Sequence, residues 1–172
     1  MSTPCPRPVA LAATLVLLLS VTGCTLIANT PPGTPLAEVQ RRHGAPAHVC
    51  AQADGGQRVI WSQQPNGQYA WAARVGADGR IQSVEPVLTD AAFQRLRPGL
   101  TTDELRCAYG PPAIIASVGW GQRQTVWSYR YREAKSWNSL MHIYLDADGK
   151  VARFHPGPDP MFDSDRRLGG RL

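Results

Sequence analysis

Hydrophobic positions change their rhythm several times along this chain. Residues 9–21 form an uncharged apolar run, dense in leucine (Leu11, Leu15, Leu17, Leu18, Leu19), behind a single basic residue, Arg7. The run is too short to cross a hydrocarbon core, which needs about 20 helical residues, and has the length of a signal-peptide apolar region. Further on, Val39 and His43, and again Leu105 and Tyr109, lie four apart and so share a helix face. After each pair the spacing becomes that of strands, expected at 48–53, 58–63, 68–75 and 80–84, then at 113–118, 124–131, 140–145 and 151–154. Asn66-Gly67, Asp78-Gly79 and Asp148-Gly149 are the dipeptides that hairpin turns favour.

The alternation is that of a repeat. Glu38, Val39, Gly44, Pro46 and Trp61 recur as Glu104, Leu105, Gly110, Pro112 and Trp127, at a constant offset of 66 residues. The Asp-Gly turns recur at a slightly larger offset, which a hairpin loop can absorb. Thr101 and Glu104 have the spacing of a capping box, and Thr34 can cap the first copy with Pro35 at the first helical position. Gly44 and Gly110 fit a left-handed helix end, and Pro46 and Pro112 block continuation. The second copy has an extra helix, capped by Thr89, with Leu88 and Phe93 placed as a hydrophobic staple. The fold class expected is α+β: two tandem units, each a short helix or helix pair followed by an antiparallel β-meander, with the helices on one face of the sheet. The expected division is a leader at 1–23, a tether at 24–32, repeats at 33–86 and 87–155, and a flexible tail at 156–172. Trp61 and Trp127 are read as core residues under the helices.

The residues that follow the apolar run decide what it is for. Val21-Thr22-Gly23-Cys24 resembles the bacterial lipobox, in which the leader is cut between Gly23 and Cys24 and the cysteine carries lipid. The alternative is an ordinary leader with Cys24 as a thiol. The resemblance implies a diacylglycerol and an N-acyl chain such as palmitate on Cys24, enough acyl surface for a stable anchor. Thr25 is not the aspartate that retains such proteins at the inner membrane. The expected location is therefore the outer membrane, facing the periplasm.

Charge and cysteine content refine this picture little. The formal charge of +5 falls to about +4 without Arg7. Such an excess suits an anionic lipid surface or an acidic protein, and no basic stripe or stacking motif points to nucleic acid. Cys50 and Cys107 remain as an even pair in an oxidising compartment, where a disulfide is favoured over two free thiols. No C-x-x-C occurs. His43, His48, His142 and His155 have no metal-binding spacing, and no nucleophile, phosphate-loop or dinucleotide motif is present. No catalytic residue, metal or further cofactor is therefore expected, and the chain reads as a non-enzyme. Trp120 and Trp137 fall in expected turns. With Arg123, Arg130 and Arg132 they make a candidate binding surface, because Trp and Arg dominate contact hot spots.

The series Thr89, Phe93, Leu96, Pro98-Gly99-Leu100-Thr101, Glu104-Leu105, Gly110-Pro111-Pro112, Trp127-Ser128-Tyr129 and Asp148-Gly149-Lys150 resembles the SmpA/OmlA (BamE-like) domain of outer-membrane lipoproteins. Two such units in tandem are also similar to the β-lactamase-inhibitor-protein architecture. The first resemblance implies a protein-binding module in outer-membrane assembly or envelope maintenance, with envelope proteins, the β-barrel assembly machinery among them, and anionic lipid as partners. The second implies an inhibitor or sensor of an enzyme that works through a concave sheet. An exposed aromatic stripe on the face away from the helices would favour that alternative.

Overall fold

The structure is a computed structural model that describes residues 27–119 and 123–162. Gly23, Cys24, Trp120 and the chain beyond residue 162 lie outside the described residues. Strands dominate. The first sheet holds β1 (His48–Ala51), β2 (Gln57–Ser62), β3 (Ala70–Val75) and β4 (Ile81–Pro86); the second holds β5 (Ile114–Val118), β6 (Gln124–Glu133), β7 (Trp137–Leu145) and β8 (Val151–Pro158). Both are antiparallel, with neighbours in chain order. The helices are short: α1 (Leu36–His43) precedes the first sheet, and α2 (Asp90–Phe93) and α3 (Thr102–Tyr109) lie between the two. The fold is thus mostly sheet, with less helix than the α+β expectation suggested. No described helix is long and apolar enough to cross a membrane.

Local chemistry explains where the helices begin and end. Thr101 Oγ1 accepts from the Glu104 amide while the Glu104 carboxylate accepts from the Thr101 amide, closing the capping box. Thr89 caps α2 through the Ala92 amide. Thr34 does not cap α1: its hydroxyl donates to Pro31 O, and the extended residue before the helix is Pro35, which offers no side-chain cap. Gly44 and Gly110 end α1 and α3 at φ of +82° and +81°. A Cβ on Gly110 would also stand 3.0 Å from Ile60 Cγ2, so the end of α3 presses directly on the first sheet.

That contact corrects the expected layering. Ile60, Ala70 and Ala72 on one face of the first sheet join Phe93, Leu96, Leu105, Tyr109, Trp127, Tyr129, Tyr131 and Ile143 in a single core. On the other face Val59, Trp61, Ala73, Val75 and Ile81 pack with Val39 and Ile27. α2 and α3 are therefore covered by both sheets, and the first sheet is covered on both faces. The helix-facing positions are small on β3 (Ala70, Ala72) and large on β6 (Trp127, Tyr129, Tyr131), which leaves room for the helices between them. Phe93 lies 5.0 Å from the Tyr109 ring and 4.9 Å from that of Tyr131, edge-on to the latter, a favoured aromatic geometry.

A disulfide and polar contacts also tie the first sheet to α3 and to the second sheet. Cys50 on β1 and Cys107 on α3 form a disulfide, with Cα atoms 5.8 Å apart. Arg58 Nε donates to Cys107 O at 2.8 Å, satisfying a carbonyl at the end of α3. β5 stops pairing at Ser128, so β6 is an unpaired edge beyond it. There the Gln64 side chain acts as a substitute strand, accepting from Arg130 N at 3.2 Å and donating to Arg130 O at 2.9 Å.

Both expected loose ends are packed where they are described. Ile27 opens a 3-10 turn (Ile27–Asn29) and is buried, so the chain from residue 27 is not a free tether. Gly33 N donates to Ile81 O and Ile81 N to Thr34 O, which covers the edge of β4. At the other end β8 runs on through His155 to Pro158, and the next residue, Asp159, is fully buried. The tail read as flexible from residue 156 is part of the fold through this point, because the buried cation Arg130 requires a counter-charge.

Candidate binding surfaces

The structure disperses the residues expected to form one surface. Arg130 is buried on β6: its guanidinium binds the Asp159 carboxylate, and its Nε donates to Pro65 O at 2.7 Å. It is a clasp between sheets and offers nothing to a partner. Arg132 and Trp137 take opposite faces of the β6–β7 hairpin, since Arg132 pairs with Asn138 and Trp137 with Glu133. Arg123 is exposed at the other end of β6, roughly 30 Å away along the strand. Trp120 lies outside the described residues.

Trp137 itself is the first residue of β7, not a turn residue, and is 72% exposed. The hairpin that carries it is held firmly. Arg132 Nη1 donates to Asn138 Oδ1 at 2.9 Å, Ser139 Oγ to Glu133 Oε2 at 2.7 Å, and Ala134 N to Asp90 Oδ2 at 2.9 Å. The last of these ties the hairpin tip to α2. Ala134 and Lys135 both have positive φ, 47° and 60°, which costs a non-glycine residue about 1–2 kcal/mol each. Strain retained in this way often marks a site whose shape is functional. Trp137 flanks a shallow cleft of about 320 Å³ bounded by Glu133, Ser139, Pro156 and Pro158. An exposed indole on a rigid ribbon beside two prolines can contact a protein segment with little ordering cost.

A second cleft, of about 360 Å³, lies where α3 meets the first sheet and is lined by Arg58, Glu85, Arg95, Arg97 and Glu104. Arg58 binds Glu85 at 2.9 Å, and Glu104 is engaged by Thr101 in the capping box, which holds its carboxyl below the usual range. The opposite, open face of the second sheet carries Ser128, His142, Tyr144, Arg153 and His155. Ser128 Oγ and His142 Nδ1 are 2.8 Å apart, Tyr144 Oη and His155 Nε2 are 3.1 Å apart, and Arg153 stacks over Tyr144. Burial, and then the neighbouring His155, push the His142 imidazole below its ordinary value. Ser128 is buried against the sheet, so the Ser–His contact presents no accessible nucleophile. Among the described residues one group has metal-ligand proximity, His48 with Cys50 and Cys107. Both sulfurs are engaged in the disulfide, which leaves a single imidazole.

No family model matches the chain, and no curated protein does. Among solved structures it has a distant likeness to a DUF4309 family protein (YjgB) from Bacillus subtilis, with a TM-score of 0.31, 14% identity, and 72% of this chain and 77% of that one covered. A likeness of that size carries no functional argument.

Proposed function

We propose that the chain is an outer-membrane lipoprotein, anchored through Cys24 and facing the periplasm, that acts as a non-enzymatic protein-binding module in outer-membrane assembly or envelope maintenance. The finer description of its architecture belongs to the same reading: two SmpA/OmlA-like units, each a short helix or helix pair followed by a meander, related by the offset that carries Glu38 to Glu104. The carrying observation is Trp137, an exposed tryptophan on a hairpin braced by the Arg132–Asn138, Ser139–Glu133 and Ala134–Asp90 hydrogen bonds. Two residues, Thr25 and Leu26, separate Cys24 from the buried Ile27, a Cα-to-Cα span of about 10 Å at full extension. The anchor would therefore hold the folded body close to the lipid surface.

The alternative, an enzyme inhibitor or sensor working through a concave sheet, called for an aromatic stripe on the face away from the helices. That face carries Tyr144 among histidines and an arginine, while Trp127, Tyr129 and Tyr131 face inward. The observation favours the assembly reading. Affinity capture of the tagged protein from detergent-solubilised envelopes tests it. Envelope proteins, assembly-machinery subunits among them, should be recovered with the native chain and lost with Trp137→Ala. Recovery of no envelope protein with the native chain would refute the proposal.

A further inference from the structure

The exposed sheet edges differ in how they are protected. β4 is met by Gly33 and Thr34 at Ile81, and β8 by Gly99 and Leu100 at Val151; β8 also carries Pro156 and Pro158, which cannot donate to an added strand. β1 is only four residues long, and its Cys50 is bonded to α3. Among the described residues, β5 has none of these devices. Ile114-Ile115-Ala116-Ser117-Val118 contains no charge and no proline, and Ile115 and Val118 are 60% and 41% exposed. An exposed, uncharged, β-branched edge is a template for strand addition, and proteins that must stay single normally block it.

We propose that the free edge of β5 joins two copies of this chain, antiparallel, about a two-fold axis at Ala116, so that their second sheets become one continuous sheet. The sequence of the strand suits its own reverse. Around Ala116, Ile114 lies opposite the partner's Val118 on one face, and on the other Ile115 lies opposite the partner's Ser117, a large side chain against a small one. A charge on β5 could meet a like charge across or near a two-fold axis, and the strand has none. Ala116, at the axis, adds little bulk where the two strands are closest. Such an interface is isologous and closes at two copies, which keeps an open edge from propagating into fibres.

Two measurements test the pairing on the full chain expressed with its own leader. Facing residues of an antiparallel pair have Cα atoms about 4.5–5.5 Å apart, within disulfide reach. Ala116→Cys should therefore give a covalent dimer on mild oxidation, whereas Ala152→Cys, exposed on β8, should not. Adding Ile115→Lys should reduce the Ala116→Cys dimer about tenfold, because two lysines enter each symmetric interface. Light scattering on the chain without added cysteines should report twice the single-chain mass at high concentration. A single-chain mass at every concentration, equal cross-linking at positions 116 and 152, or indifference to Ile115→Lys would each overturn the proposal. Ile115 is largely exposed, so its lysine variant should keep the native circular dichroism.

Discussion

Replacing Asp159 by Asn removes one charge from the buried ion pair that fastens the end of β8 to Arg130 on β6, while nearly preserving its shape. Asp159 is fully buried, and its Oδ1 takes both the Arg130 guanidinium and the Met161 amide. Among the described residues Oδ2 has no partner. Arg130 has 11% of its side chain exposed, too little for water to replace a lost carboxylate. Breaking such a pair from one side costs about 3–5 kcal/mol, because it leaves the other charge buried alone. Replacing both members with apolar residues of similar size can be neutral or stabilising. Urea unfolding should therefore show Asp159→Asn and Arg130→Met each destabilised by about 3 kcal/mol or more, and Arg130→Met/Asp159→Leu much less destabilised than their sum. Single-variant losses below about 1 kcal/mol, or additivity within about 0.5 kcal/mol, would show that the pair does not hold the chain after β8 to β6.

Other perturbations probe the remaining contacts. Reducing the Cys50–Cys107 disulfide, which spans 57 residues, should cost about 4 kcal/mol of unfolding free energy by chain entropy; a loss under about 1 kcal/mol would mean that the non-covalent clasp suffices. Burial holds the folded His142 imidazole below the ordinary histidine value of about 6.5, so the unfolded chain protonates first as pH falls. Stability should decline as pH drops below about 6.5 and level off once the folded imidazole titrates, and His142→Gln should flatten that slope in pH-dependent denaturation. Trp137→Ala should change stability by no more than about 0.5 kcal/mol while abolishing partner capture; a larger loss of stability would mean the indole is structural.

The elements that local chemistry dictates were legible in the chain. The Thr101–Glu104 box, the Thr89 cap, the glycines ending α1 and α3, and the strand cores all follow from near-neighbour rules. What was not legible depends on contacts between distant residues. Arg130 reads like any exposed strand arginine until Asp159 and Pro65 are brought to it across 29 and 65 residues. The Gly- and Pro-rich segments 28–35 and 155–159 have the composition of free ends, yet both are fastened by pairing to strand edges or to a buried charge. The placement of α2 and α3 between two sheets was foreshadowed by Ala70 and Ala72, whose small size on a sheet face signals a close neighbour. Trp137 was singled out by residue type and expected in a turn; its place at the start of β7 and its strand parity with Arg132 could be seen only once the register was known. The open edge of β5 was likewise present in the composition of residues 114–118, and acquired meaning when the other edges proved to be protected.

The anchor is the premise on which the membrane-proximal role depends, and metabolic labelling tests it most directly. Cells expressing the full chain with an alkyne-tagged palmitate should yield a labelled protein in the outer-membrane fraction, and Cys24→Ser should lose the label and leave the uncut precursor. An unlabelled native chain recovered in the soluble fraction would contradict the account.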